Sequence, residues 1–260
     1  VIGWLADPLS WGPLTRAVAV LWACDGVVLS QRDGARQWAP LDAEGIPHLR
    51  AGCCGGESME ASLASLQADL LVADPVWWDV ARADGRPVIT LGKHSHPDCD
   101  WNVDELPLHP WAYGLTRTRA EVRSEWGVPD STPVVACMSP THMRNTMENT
   151  VKDSLPPGAL LVSLQKWGDA PKMVGADLIV TSAGWASSVE ARWSGVPHCL
   201  LGLGAPDQPT RVTHSRSEAA ALVAHVEPAN LPDDWVAAPD AGPLLGFIGL
   251  MRGKPLRALG

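Results

Sequence analysis

The segment Ala176-Asp-Leu-Ile-Val-Thr-Ser-Ala-Gly-Trp-Ala-Ser-Ser-Val-Glu-Ala-Arg-Trp-Ser-Gly-Val-Pro-His-Cys-Leu-Leu-Gly-Leu-Gly-Ala-Pro-Asp207 decides how the rest of the chain is read. Leu178 to Val180 is a short apolar, β-branched run, and Thr181 to Gly184 is a turn of small residues. Ser187 to Trp193 continues as a helix that Gly195 and Pro197 terminate, so the order is strand, turn, helix, strand. A small-residue turn feeding a helix leaves backbone N–H groups directed outward at the positive end of the helix dipole, a place for a phosphate. Gly184, Trp185 and Ser187 border that position. Glu190 lies about two turns further along, where a carboxylate accepts hydrogen bonds from sugar hydroxyls. Its alternative is a solvated helix position in an ordinary βα unit.

Outward from this segment the same alternation continues. Val1 to Ala6, Gly26 to Ser30, Asp69 to Ala73 and Pro87 to Leu91 read as strands. Leu14 to Ala23, Ser58 to Ala68 and Trp78 to Ala83 read as helices between them. From about Arg117 the layout repeats, with strands near Val134, Leu160, Leu178 and Cys199, although no sequence repeat recurs at a fixed period. The expectation is an α/β protein of two Rossmann-like domains, 1–115 and 116–260, whose parallel sheets are covered on both faces. The tail from Pro228 carries an apolar stretch, Leu244 to Met251, able to dock.

Composition narrows the class. With 260 residues, 46% of them hydrophobic, the chain buries a substantial core without covalent staples. A net charge of −9 opposes non-specific attraction to nucleic acid or to an anionic membrane. Six cysteines, two of them the adjacent Cys53 and Cys54, form neither a CxxC motif nor a disulfide framework, which places the protein in a reducing cytoplasm. No apolar run approaches the ~20 residues of a membrane span, and the first residues lack the form of a signal peptide.

Ligands of parallel sheets bind at the carboxyl ends of the strands. In the first half those ends carry Asp7, Arg32, the stretch Asp74 to Trp78, and His94-Ser-His-Pro-Asp-Cys-Asp100. The last holds two imidazoles and two carboxylates, a composition suited to a divalent cation, but a polar loop over an acceptor is the better reading, with no metal site assigned. Thirteen tryptophans against one Tyr and one Phe make stacking on a ligand conceivable. Trp77 and Trp78, after a strand end, are the acceptor-stacking candidates, with core packing as their alternative. In the second half Ser139 and Arg144 follow a strand end and suit a phosphate, while Asp207 and Gln208 suit a donor sugar or an ordinary turn.

Gly184, Glu190, Gly195 and Pro197 keep the order and spacing of the nucleotide-binding half of GT-B glycosyltransferases. The stretch resembles the lipid-linked N-acetylglucosaminyl transferase of peptidoglycan synthesis and the UDP-sugar hydrolase of pseudaminic acid synthesis. Arg119 to Cys137 resembles the helix, turn and first strand that open the same domain, and Trp167 to Asp177 the approach to the donor motif, so the likeness covers roughly the second half of the chain. It implies two Rossmann-like domains facing a cleft, a glutamate on the donor ribose, and inverting, metal-independent transfer of a sugar from a nucleotide-diphosphate donor, UDP-linked, to an acceptor hydroxyl. No cofactor is implied beyond that co-substrate. The related families also carry a glycine, a histidine and, three residues after the histidine, an arginine after the first strand; Gly12 and Arg16 fit, but Pro13 stands where the histidine belongs. The base then comes from elsewhere: Asp7 at the first strand's end, with His94 and His96 as reserves. Asp7 as a residue ordering the turn before Pro8 is the alternative. The acceptor stays open among a carbohydrate, a lipid-linked sugar and a hydroxymethylated pyrimidine of phage DNA. A hydrolase or epimerase, and a non-catalytic nucleotide-sugar-binding protein, use the same donor features. The sequence leaves the oligomeric state open.

Overall fold

A computed structural model describes residues 1–8, 11–21, 24–31, 35–51, 58–91, 101–103, 117–139, 143–166, 168–202 and 214–229. The chain divides into two compact units, built on Val1–Pro110 and on Trp111–Ala238. The docking tail expected from Leu244 to Met251 lies outside the described residues.

The first unit is a parallel sheet in the order β3-β2-β1-β4-β5-β6, with β1 (Ile2–Leu5), β2 (Gly26–Ser30), β3 (His48–Arg50), β4 (Leu70–Ala73), β5 (Val88–Leu91) and β6 (Trp101–Val103). Its helices are α1 (Trp11–Leu21), α2 (Ala35–Ala43), α3 (Met59–Ser65) and α4 (Trp78–Asp84). Every residue of β1 and β4 is buried, as strands covered on both faces require. In register, Leu5 stands opposite Leu29 on one side and Ala73 on the other. Gly3 permits this centre to close: a Cβ there would lie 2.8 Å from methyls of both Leu66 and Leu71. Leu5, Leu29, Met59, Leu63, Leu71 and Trp77 pack as one cluster.

Four of these elements depart from the sequence reading. Helix α2 contains Pro40, which removes a backbone donor and reads locally as a breaker. Strands β3 and β6 span three residues each, too few for alternation to register. Helix α1 begins at Trp11 rather than Leu14, with Pro13 in its first turn, where a missing N–H costs no hydrogen bond.

The second unit contains α5 (Arg119–Trp126), β7 (Val134–Met138), α6 (Arg144–Lys152), β8 (Leu160–Ser163), a 3₁₀ turn (Ala170–Gly175), β9 (Leu178–Ser182), α7 (Trp185–Trp193), β10 (His198–Leu201) and α8 (Arg216–Ala224). The strands are parallel in the order β10-β9-β7-β8. Alternation along β7 feeds two cores: Val135 and Cys137 join Met147, Val180, Cys199 and Val223 on the α6 and α8 face. Val134 and Ala136 join Met173, Ile179, Ala191 and Val196 on the other. Burial pushes the Cys137 thiol up to about 12 and the Cys199 thiol to about 11, so both behave as apolar core residues. No described helix is long and apolar enough to cross a membrane.

At the amino-terminal edge of this sheet sits Asp177, whose side chain is fully buried. It accepts hydrogen bonds from Arg119, from Arg123 at 3.3 Å, and from the backbone N–H groups of Val134 and Ala229, each at 2.8 Å. Arg123 also donates to the carbonyls of Gly175, Pro129 and Thr132. One carboxylate, on the residue before β9, thus binds α5, the start of β7 and the segment beyond α8, and through Arg123 the turn after α5. Asp177→Ala removes the buried counter-charge of two buried guanidinium groups, leaving Arg123 only the exposed Asp130 at 3.4 Å, and we expect a loss of about 3–5 kcal/mol in urea unfolding. A loss below about 1 kcal/mol would show that the network is not the brace described.

Candidate functional site

In each sheet the chain builds outward from its first strand on one side and then crosses to the other. The reversal falls between β1 and β4 in the first unit and between β7 and β9 in the second. Crossovers leaving in opposite directions open a crevice at the carboxyl ends of those strands. The candidate residues can therefore be checked against two defined places.

In the first unit, Asp7 and Asp74 follow β1 and β4. Asp74 is fully buried; its carboxylate is ion-paired with Arg16 of α1 and accepts the Asp7 backbone N–H at 2.9 Å. The Asp74 carbonyl accepts the Trp77 N–H at 2.9 Å. The Trp77 indole N–H donates to Ala6 O at 3.0 Å, and the Ser30 hydroxyl donates to the same carbonyl at 2.8 Å. This network holds the turn after β1 in one conformation and leaves the Asp7 side chain half-buried. Two expectations are corrected here. Arg16, expected at the acceptor, points inward to a buried carboxylate. Trp77, expected as a stacking platform, is 8% exposed and belongs to the core. Trp78 is half-buried, donates its indole N–H to Ala73 O at 3.2 Å and packs on the edge of that core.

In the second unit, Ser139 follows β7 and Gly184 follows β9. Gly184 is the N-cap of α7 and supplies no side-chain cap, and Met143 supplies none to α6. Helices α5 and α8, by contrast, are closed by complete capping boxes. The first-turn N–H groups of α6 and α7 thus lack the side-chain acceptor that a capped helix carries, at the switch point of the sheet. Among the described residues, a Cβ at Gly184 would meet only the Ser182 hydroxyl, at 3.5 Å. The Thr181 hydroxyl donates to Met138 O at 2.8 Å and ties the ends of β9 and β7 together. Ser187 is half-buried in the first turn of α7, and Glu190 is 7% exposed, which rules out a solvated helix position for it.

The polar chain at this edge includes residues that sequence reasoning did not assign. Arg144 donates to Gln165 Oε1 at 2.8 Å, and Gln165 Nε2 donates to the Ser139 hydroxyl at 3.3 Å. Asp169 accepts the backbone N–H groups of Gln165 and Lys166 at 3.0 and 2.8 Å. Position just past the end of β8 was the available signal for Gln165. Beside Arg144, a pocket of about 250 Å³ is lined by Met143, Thr146, Met147, Leu201, Gly202 and His214, among others. His214 Nδ1 accepts the Leu200 N–H at 3.2 Å, so in its neutral form the ring carries its proton on Nε2.

Arg32, His94, His96, Asp207 and Gln208 lie outside the described residues. Gly12 and Trp185 are placed by their backbone alone, in the first turns of α1 and α7.

The sequence matches no protein-family model and no curated protein. Its architecture does match solved structures. A Streptomyces sp. SF2575 glycosyltransferase complexed with thymidine diphosphate superimposes with a TM-score of 0.53 at 15% identity, covering 80% of this chain and 82% of that one. The glycosyltransferase SnogD from Streptomyces nogalater gives 0.52 at 14% identity, covering 96% and 99%. A spinosyn rhamnosyltransferase complexed with spinosyn aglycone gives 0.53 at 12% identity, covering 77% and 80%. These are GT-B glycosyltransferases, and this chain has their fold.

The placement of Trp77 carries a direct test. Trp77→Ala should cost about 3–5 kcal/mol of stability in denaturant unfolding, the range for truncating a buried aromatic side chain. Trp78→Ala, with less area to lose, should cost less. A Trp77→Ala protein of undiminished stability that fails only in binding a ligand would return Trp77 to the acceptor.

Proposed function

We propose that this protein is a glycosyltransferase that takes a sugar from a nucleotide-diphosphate donor and transfers it to an acceptor hydroxyl with inversion. The observation that carries the reading is the switch point between β7 and β9, where two helix N-termini without side-chain caps, the Ser139 hydroxyl and Arg144 meet at one sheet edge. Such a set of donors suits a diphosphate, because backbone N–H groups, a helix dipole and a guanidinium all favour anionic oxygens. Glu190, buried one and a half turns or so into α7, accepts the ribose hydroxyls. A solved structure of the same fold holds thymidine diphosphate. The donor nucleotide here is uridine or thymidine diphosphate, and Asp207 and Gln208 are the sequence candidates for binding its sugar.

The chemistry needs a base for the acceptor hydroxyl and charge stabilisation for the departing diphosphate. Asp7 is the base: the short turn after β1 carries it, and the buried Asp74 holds its backbone in place. As it takes the hydroxyl proton, the acceptor oxygen attacks the anomeric carbon from the face opposite the diphosphate, and that carbon inverts. Negative charge grows on the leaving oxygens, where the N–H groups of α6 and α7 and the Arg144 guanidinium are already oriented. With those donors in place the reaction requires no metal ion. A macrolide-type aglycone, of the kind bound by one structural neighbour, and a sugar hydroxyl are the acceptor classes to assay first.

Two substitutions separate donor from base. Glu190→Ala should weaken nucleoside diphosphate binding by about 1.5–3 kcal/mol, the range for a hydrogen bond to a charged group, with the fold intact. Unchanged affinity in calorimetry would remove the ribose contact. Asp7→Asn keeps shape and removes basicity, so kcat should fall about 10²–10⁴-fold while donor affinity stays within roughly twofold. Near-normal turnover by that variant would move the base elsewhere. Sugar release from the donor without any acceptor, at the full rate, would make the protein a hydrolase.

A further inference from the structure

Gln165 joins two residues that the donor reading places on the diphosphate, and it does so with a fixed polarity. A guanidinium only donates, so the amide oxygen must face Arg144, as it does at 2.8 Å. The amide NH₂ must then face Ser139, whose hydroxyl accepts at 3.3 Å. A hydroxyl has one proton to give. With its oxygen accepting from Gln165, Ser139 keeps that proton for a group on its other side. Gln165 Oε1 is also the one side-chain hydrogen-bond partner of Arg144 among the described residues. The residue is itself anchored, because Asp169 accepts its backbone N–H at 3.0 Å and that of Lys166 at 2.8 Å. Gly168, at φ +86°, lets the chain turn back so that Asp169 can reach them.

We infer that Gln165 is a positioning residue for the donor diphosphate: it holds the Arg144 guanidinium in place and orients Ser139 to donate its hydroxyl proton to a phosphate oxygen. The inference rests on the donor-site reading of this edge. The turn after β7 lacks the glycines that let a backbone wrap closely around phosphate, so side chains must supply oriented donors there. A glutamine does this without adding charge. Glutamate of the same shape would do the reverse. It would accept from Arg144 and neutralise it, draw the Ser139 proton toward itself, and set a negative charge beside the phosphate.

The test is the affinity of wild type, Gln165→Glu, Gln165→Met and Ser139→Ala proteins, and of the Ser139→Ala/Gln165→Glu pair, for uridine and thymidine diphosphates. Calorimetry reads affinity and thermal unfolding reads integrity. Gln165→Glu should weaken diphosphate binding about tenfold or more at unchanged melting temperature. Gln165→Met, which releases both partners without adding charge, should weaken it less, by about three- to tenfold. In the Ser139→Ala background the Gln165→Glu penalty should shrink at least about threefold, because part of it acts through the hydroxyl. Strictly additive effects, or undiminished binding by Gln165→Glu or, should that protein not fold, by Gln165→Met, overturn the inference while leaving the donor site standing. Failure of the wild-type protein to bind either diphosphate overturns the donor reading and this inference with it.

Discussion

A buried carboxylate is tolerated only when its lone pairs and its charge are answered, and in the second unit Asp177 meets that condition. Arg119 and Arg123 supply the charge, and Val134 and Ala229 supply backbone donors. Because these partners come from α5, β7 and the segment beyond α8, satisfying one side chain fixes the relative placement of most of the unit. The brace lies at the amino-terminal edge of the sheet. The carboxyl edge, at the other ends of the same strands, carries Ser139, Gln165 and Arg144.

The first unit reverses this arrangement. Its buried carboxylate, Asp74, sits at the carboxyl edge, paired with Arg16 and holding the Asp7 backbone. Charge that sequence reasoning would assign to an acceptor is spent on shaping the turn after β1. Asp7, on that turn, is half-buried. The two edges therefore differ in kind: a braced turn presenting a carboxylate in the first unit, and an array of hydrogen-bond donors in the second.

Two departures from the pattern of the glycosyltransferases that the sequence resembles have local reasons. Pro13 cannot abstract a proton, yet at the start of α1 it suits the helix, whose first N–H groups have no intrahelical partner. The glycine-poor turn after β7 cannot wrap closely around a phosphate, and the side chains of Ser139, Arg144 and Gln165 occupy the corresponding edge.

The alternation of strand and helix, the parallel sheets and the turn at Gly184 were legible in the sequence. Each depends on residues within one or two turns of one another, and local periodicity reports such relations directly. Pro40 hid α2 and brevity hid β3, since in both the local signal is outvoted by packing against distant residues. The inward turn of Arg16, the burial of Trp77 and the bridging of Arg144 and Ser139 by Gln165 were decided by tertiary structure alone. Their partners lie 58, 71, 21 and 26 residues away, on strands whose neighbours in space are not neighbours in sequence. A side chain's type sets which bonds it can make, but which partner it meets depends on strand order and register, and those follow from burying both faces of the whole sheet at once.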